Sequence, residues 1–276
     1  MIEDEWAFLV DSHCHLEYLV GKGKSIDNLI KNAIENDVRV VNNICAKIEE
    51  MPSIINTTKK YKNVFCSVGH HPEEVRRRKV TLDEIMSYTK HKKVVAIGES
   101  GLDYYRSPEN REEQIANFEI HIEASRRSKL PLIIHSRDAD DDMIDILESE
   151  MKNGEFNFVL HSYCSGRKLA DVGIDLGGFI SFSGILTFKD STELRDLVEF
   201  IPFDRMLVET DSPFLTPEPL RGKTNEPAYV KYIVSQLSET SGENYGTVRS
   251  MTTKNFLCLF NKVVVPKPKK RTVMYQ

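Results

Sequence analysis

The sequence predicts an α/β protein of the (β/α)8 type, a TIM barrel built as a single domain. Eight short apolar runs, rich in Val, Ile and Phe, alternate along the chain with amphipathic stretches. Continuous apolar runs are typical of parallel strands buried on both faces, and their alternation with helices indicates βαβ units. The length of 276 residues fits one barrel, which commonly needs about 250 residues. A doubly wound open sheet is the alternative, but no Gly-rich phosphate loop follows the first run.

Each apolar run is predicted to form a strand, and each leads into polar residues. The eight runs are 7–10, 38–41, 64–68, 94–97, 132–134, 156–160, 179–182 and 206–208. In a barrel of this type the active site lies at the C-terminal ends of the strands. The polar residues that come after the runs are therefore expected to meet at one face.

The stretches between the runs show helical spacing of apolar residues. Ser25 is expected to N-cap the first helix, and Thr81 begins the second. Two histidines in these helical stretches, His91 and His121, are expected to lie on exposed surface. The predicted helices are 26–36, 82–90, 110–128, 140–151, 191–200, 226–241 and 245–260. The barrel domain is assigned to residues 1–262, and residues 263–276, with two prolines and four basic residues, are predicted to form a basic, flexible C-terminal tail.

Composition limits the classes of partner. The net charge is −5, so the chain lacks the broad basic field of proteins that neutralise many phosphates. The sequence has five cysteines, an odd number, and no CxxC motif, which fits free thiols in a reducing compartment. No signal sequence is evident, and no apolar run approaches the roughly 18 residues of a membrane span. We expect a cytoplasmic protein with no membrane association and no evident obligate protein partner.

Histidines and carboxylates recur where the predicted strands end. His13 and His15, after the first run, are two residues apart, so in an extended chain they face the same side. Glu99 follows the fourth run, His135 the fifth and His161 the sixth. Two imidazoles on one face provide half of a metal site, and the later histidines strengthen this interpretation.

The eighth run ends in two more carboxylates. Asp211, two residues beyond Glu209, is suited to be a metal ligand and general base, while Glu209 is expected to orient its neighbours. Carboxylates mixed with imidazoles suit Zn, Mg, Mn or Fe, and the sequence does not distinguish these ions. The residues therefore predict a hydrolase that holds two divalent ions, with a metal-bound hydroxide as nucleophile.

Six separated motifs resemble those of the TatD family of metal-dependent deoxyribonucleases, which belongs to the amidohydrolase superfamily. The motifs are DSHCHL, GHHP, GESGLDYY, PLIIHSRDA, ETDSPFL and RGKTNEPAYV, in the family's order from residue 11 to about residue 230. The resemblance implies a (β/α)8 barrel and a divalent-metal-dependent DNase, with 3′–5′ exonuclease activity.

The resemblance also implies a role for individual residues. One metal would be held by His13, His15, Asp211 and the bridging Glu99, and the other by Glu99, His135 and His161. His71 in GHHP and Arg137 in IHSR would contact the substrate phosphate, and His70 would be structural. Asp211 and Glu99 are the predicted catalytic residues. The full set of predicted site residues is His13, His15, His71, Glu99, His135, Arg137, His161 and Asp211.

The resemblance favours phosphodiester hydrolysis at single-stranded DNA ends over two alternatives. The first is hydrolysis of another ester or amide, as by an aminoacyl-tRNA deacylase or an amidohydrolase. Related barrels often place a modified lysine at the fourth strand, where this chain has Glu99. The second is a non-catalytic binding scaffold, which a missing ligand would have favoured, but none of the expected ligands is missing.

Overall fold

A computed structural model of the chain, which describes residues 6–265, confirms the (β/α)8 barrel as a single domain. Eight parallel strands form one sheet in chain order. They are β1 (Leu9–Cys14), β2 (Val38–Asn43), β3 (Val64–Val68), β4 (Val94–Asp103), β5 (Leu132–Arg137), β6 (Phe158–Leu160), β7 (Phe179–Phe182) and β8 (Met206–Val208).

The eighth strand returns to the first through the segment that comes directly after it. The backbone amide of Asp211 donates to the carbonyl of His13 at 2.9 Å, and the amide of His15 donates to that of Ser212 at 2.7 Å. The buried carboxylate of Asp11 accepts from the amide and hydroxyl of Thr210 at 2.8 and 2.6 Å. These bonds join the two ends of the sheet at the barrel mouth.

Ten α-helices lie in the described part of the chain. They are α1 (Leu16–Gly21), α2 (Ile26–Glu35), α3 (Met51–Lys60), α4 (Leu82–Thr89), α5 (Arg111–Ser128), α6 (Asp140–Asn153), α7 (Arg167–Asp175), α8 (Thr192–Val198), α9 (Val230–Ser241) and α10 (Tyr245–Leu259). The sequence prediction missed α1, α3 and α7. The first has only six residues, α3 carries a proline and two threonines, and α7 contains a glycine, so each gives a weak helical signal.

The strands bury both faces, as their apolar sequences predict. One face packs on the surrounding helices and forms the larger hydrophobic cluster. The other face fills the barrel interior with residues such as Val10, Val40 and Ile133, and Phe256 of α10 and Phe260, directly after it, join this inner cluster. The interior is therefore a packed core, and the open space available for chemistry lies at the mouth.

Two expectations about single residues need correction. Ser25 occupies the N-cap position of α2 but its side chain makes no capping hydrogen bond, whereas Thr81 does cap α4 by accepting from the amide of Glu84 at 3.3 Å. His121 is fully buried, not exposed. His121 lies on a polar stripe of α5 that faces the barrel wall. The polar residues of this helix therefore do not mark its solvent-exposed side, which is why the prediction was wrong.

The predicted tail falls largely on residues 266–276, which lie outside the described residues. Val263 and Val265, which begin it, pack against the inner cluster. Within residues 6–265, no helix combines the length and apolar character needed to cross a bilayer.

Candidate metal centre

Four side chains form a first cluster at the barrel mouth: His13, His15, Glu99 and Asp211. His13 is the second-last residue of β1 and His15 comes just after the strand, and their Nε2 atoms lie 3.2 Å apart. Oε2 of Glu99 lies 3.3 and 3.6 Å from these two nitrogens. Oδ1 of Asp211 lies 3.6 and 3.5 Å from them. The alternation expected for an extended strand thus brings the two imidazoles together with two carboxylates.

A second cluster shares Glu99 and adds His135 and His161. Oε1 of Glu99 lies 2.9 Å from Nδ1 of His135 and 2.8 Å from Nε2 of His161, and these two nitrogens are 3.2 Å apart. His135 lies in β5 and His161 directly follows β6, so neighbouring strands deliver them to the same point. The two oxygens of one carboxylate therefore face two different groups of imidazoles.

The donor atoms of the first cluster are spaced as a divalent ion requires. The two imidazole nitrogens lie 3.2–3.6 Å from each other and from the two carboxylate oxygens, close to the edge of a tetrahedron whose centre is about 2.1 Å from each corner, the usual Zn–N and Zn–O distance. Imidazole nitrogens and carboxylate oxygens also suit the other ions considered. The cluster can therefore bind metal.

The outer nitrogens of three histidines fix their tautomers. Nε2 of His135 lies 3.0 Å from Oδ2 of Asp103, and Nδ1 of His161 lies 3.1 Å from Oε1 of Glu209. Nδ1 of His15 lies 3.3 Å from the carbonyl of Ile44. Each acceptor holds the N–H of its ring, so the other nitrogen turns a lone pair towards the clusters. Such outer carboxylate and carbonyl partners are the usual support of metal-binding histidines.

His71 differs from these histidines in its tautomer. Its Nδ1 accepts from the amide of Glu73 at 3.2 Å, so the neutral ring carries its proton on Nε2, which lies 3.3 Å from Oε1 of Glu99. Its position allows it to join Glu99 and His135 around an ion, but a protonated nitrogen offers no lone pair. The ring is better placed to donate a hydrogen bond into the cleft.

Strong electrostatic coupling accompanies this geometry. Burial raises the pKa of Glu99, but the imidazoles of His161, His71 and His13 outweigh burial and hold that pKa well below its ordinary value. Burial lowers the pKa of His161, but the carboxylates of Glu99 and Glu209 outweigh it and raise that pKa well above normal. The carboxylates therefore require a positive charge beside them, which protons or metal ions can provide.

The clusters form the floor of a cleft of about 570 Å³. Arg137, two residues after His135 on β5, lines it, as do Arg106 and the carboxylates of Glu73 and Glu74. With Glu99, Asp103 and Asp211, five carboxylates line the cleft against two arginines. Bound cations would reverse this excess of negative charge and make the cleft attractive to an anion.

The structure brings all eight predicted site residues to this mouth, and it adds residues that the sequence prediction lacked. Asp103 was missed because the fourth strand was expected to end near Glu99, whereas β4 continues to Asp103. Asp103 is four residues beyond Glu99, so the even spacing along a strand could have indicated it. Glu209 orients His161, as expected from the sequence, and also accepts from the hydroxyl of Ser181 at 2.6 Å. His70 is buried with its ring bonded to backbone groups of Ile48 and Arg78, which fits a structural role.

Comparison with known proteins identifies the family. The family model described as TatD related DNase matches residues 10–261. The chain belongs to this family. A relative from Buchnera aphidicola subsp. Baizongia pistaciae, named as an uncharacterized metal-dependent hydrolase, is 39% identical over 92% of this chain and 96% of its own length. This TatD-family chain is therefore a metal-dependent hydrolase.

Two further relatives help to place this TatD-family protein. The 3′-5′ ssDNA/RNA exonuclease TatD of Salmonella typhimurium is 28% identical over 87% of this chain and 94% of its own length. The crystal structure of YjjV, a TatD homologue from Escherichia coli K12, superposes with a TM-score of 0.85 at 23% identity, covering 93% of this chain and 99% of that one. The structural likeness supports the fold, and the nuclease name belongs to the Salmonella protein.

Proposed function

We propose that the chain is a divalent-metal-dependent deoxyribonuclease, of the 3′–5′ exonuclease type, that removes nucleotides from single-stranded DNA ends. The observation that carries the proposal is the division of the Glu99 carboxylate: Oε2 faces His13 and His15, and Oε1 faces His135 and His161. This arrangement suits a carboxylate that bridges two ions. His13, His15, Asp211 and Glu99 would hold one ion, and Glu99, His135 and His161 the other.

When bound, such ions neutralise phosphate charge and lower the pKa of a water molecule, which makes it a nucleophile near neutral pH. Asp211 would take the proton from this water as its oxygen attacks phosphorus, and would return it to the 3′ oxygen that leaves when the bond to phosphorus breaks. Burial raises the pKa of Asp211, but hydrogen bonding to His15 and the charges of His13 and His15 outweigh burial and lower it. The carboxylate is thus ionised and available as a proton acceptor, and it lines the cleft.

The phosphate is held by donors on the β3 and β5 side of the cleft. His71 offers its Nε2–H, because its Nδ1 is occupied by the amide of Glu73. Arg137 offers a guanidinium that can bind two phosphate oxygens at once. Its Cζ lies 3.9 Å from the ring centroid of Tyr105, which steadies the long side chain at the cleft. These two residues bind non-bridging oxygens while Asp211 accepts the proton.

The substrate class is supported by the size of the cleft and by the Salmonella relative. A volume of about 570 Å³ is in the range of sites for small organic ligands. It suits the end of a single strand, which presents few nucleotides and few phosphates. An overall net charge of −5 is compatible with this mode of binding because bound cations would supply the positive charge locally.

The test is metal-dependent release of nucleotides from single-stranded DNA labelled at the 3′ or the 5′ end. We expect release from the 3′ end by the wild type and its loss in EDTA. Asp211→Asn should reduce the rate about 100-fold or more, the usual loss of a general base. Asp138→Asn is the matched control, because Asp138 has nearly the same left-handed φ, 54° against 53° for Asp211, and does not line the cleft. Metal-loaded protein that cleaves esters, amides or aminoacyl-tRNA but no DNA would refute the proposal.

A further inference from the structure

Two aromatic rings form a wall on one side of the metal cleft. The ring of Tyr18 stacks on that of His15, with centroids 5.1 Å apart and an interplanar angle of 20°. Phe214 meets Tyr18 edge to face at 6.0 Å and 81°, and its centroid is 6.2 Å from that of His15. Both rings line the cleft. We call this pair the Tyr18–Phe214 wall.

The barrel topology explains why these two rings meet. Tyr18 lies in α1, immediately after β1, and Phe214 lies in the segment that comes after β8. Since β8 returns to β1, the two residues adjoin although they are far apart in the sequence. Phe214 remains 46% exposed, so the wall offers apolar ring surface beside ionised groups. Aromatic rings that line a cleft beside a few polar groups can pack against the apolar face of a ligand.

The opposite side of the cleft is cationic. Arg137 ends β5, and Tyr105, beneath its guanidinium, follows β4. In a closed barrel of eight strands, β4 and β5 lie across from β8 and β1. The cleft thus has an aromatic wall on one side, an arginine on the other, and the carboxylate and imidazole clusters between them.

We propose that the Tyr18–Phe214 wall is a base-stacking subsite for an unpaired nucleotide, with the adjoining phosphodiester lying over the clusters and a phosphate reaching Arg137. The inference rests on the proposed function and specifies how its substrate is recognised. Every nucleobase presents a π-face to an aromatic ring, so stacking of this kind tolerates any sequence. A base within a duplex has both faces covered by its neighbours, so the subsite selects single strands.

The experiment compares a thymidine pentanucleotide with a pentamer of the same phosphate backbone in which every residue is abasic. We expect Phe214→Ala to lower kcat/KM for the thymidine strand about 5- to 150-fold, the range for loss of one base–aromatic stack. The rate on the abasic strand should not change. Phe214→Tyr, which retains a ring, should keep the preference for the strand with bases.

Phe200→Ala is the matched control, because Phe200 is 50% exposed and does not line the cleft. It should leave both strands unaffected. An equal loss on both strands in Phe214→Ala, or no loss on either, would overturn the subsite.

A binding measurement separates this inference from the proposed function. If the wild type cleaves neither strand, the nuclease proposal fails. The Tyr18–Phe214 wall can then still be tested by fluorescence anisotropy, with the same two pentamers labelled at the 5′ end. Tighter binding of the thymidine strand that Phe214→Ala abolishes supports the subsite. Equal affinity of the wild type for both strands overturns it.

Discussion

Oε1 of Glu209 lies 3.1 Å from Nδ1 of His161, and both residues are buried. The carboxylate holds the proton of the imidazole on Nδ1 and leaves Nε2 facing Glu99. A carboxylate behind a metal-binding histidine both fixes the ring and increases its basicity. Glu209 thus positions His161, which is one of the ligands proposed for the second metal ion.

Glu209→Gln should weaken metal binding about 10- to 100-fold, the usual effect of removing an outer carboxylate. The amide retains the shape but not the charge that polarises the ring of His161. The measurement is metal content after dialysis against graded chelator concentrations. Ser181→Ala, which removes only the hydroxyl donor to Glu209, should have a smaller effect. Unchanged affinity in Glu209→Gln would show that Glu209 has no influence on the ion.

Removing metal should lower thermal stability as well as activity. The clusters place the carboxylates of Glu99 and Asp211 in a buried setting where they require positive charge beside them, and bound ions would supply it. Metal present at 100 times its dissociation constant adds about 2.7 kcal/mol, which for a protein of this size is about 5–10 °C in Tm. Differential scanning calorimetry with and without EDTA measures the shift. Equal Tm values, together with confirmed removal of metal, would contradict this prediction.

Gly101→Ala should displace His135. Gly101 has φ +146°, and a Cβ there would lie 2.0 Å from the carbonyl oxygen of His135, so β4 and β5 would have to separate. Gly177→Ala is the control, because Gly177 has φ +83° but no neighbour within 4 Å. The control should lose only about 1–2 kcal/mol for its left-handed backbone. Urea unfolding should show a larger loss of free energy of unfolding in Gly101→Ala than in the control. Metal stoichiometry should be lower in Gly101→Ala and unchanged in Gly177→Ala.

His121 should make stability depend on pH in mildly acidic solution. Its Nε2 accepts from the amide of His70 at 3.0 Å, and its Nδ1 lies 2.7 Å from the carbonyl of Asn117. Burial lowers its pKa to about 4, so the unfolded chain binds the proton more strongly. The stability that the neutral ring contributes is complete above its ordinary pKa of 6.5 and is lost as the pH falls from there to about 4.

The full loss corresponds to about 3 kcal/mol. This loss is measured by urea unfolding of the wild type and of His121→Gln, once near neutral pH and once at a pH close to the lowered pKa of His121. The wild type should lose more free energy of unfolding than the variant between these two conditions. Parallel losses would mean that other groups account for the acid sensitivity.

The strand ends were predictable because one physical rule governs them all. Apolar runs buried on both faces identify the strands, and the barrel then brings together the residues at their C-terminal ends. His13, His135 and His161 needed only this rule to be placed near one another. Their closeness to Glu99 has the same origin, although Glu99 lies within β4 and not at its end.

Other features depend on contacts that a sequence pattern does not contain. The buried stripe of α5 carries Gln114, Asn117 and His121. Gln114 and Asn117 bond to Asp103 and Ser100 of β4, and Asn117 and His121 bond to the backbone of His70, so a polar side chain does not mark the solvent face here. The Tyr18–Phe214 wall arises from β8 returning to β1. Its two rings are not neighbours in any local pattern, and only the closed barrel shows that they meet.

The hydrogen bond from the amide of Asp211 to the carbonyl of His13 has a consequence during synthesis. The first cluster draws on residues from 13 to 211, so a nascent chain in which β8 is still inside the ribosome cannot complete it. An ion held by all four residues of the first cluster therefore requires a closed barrel.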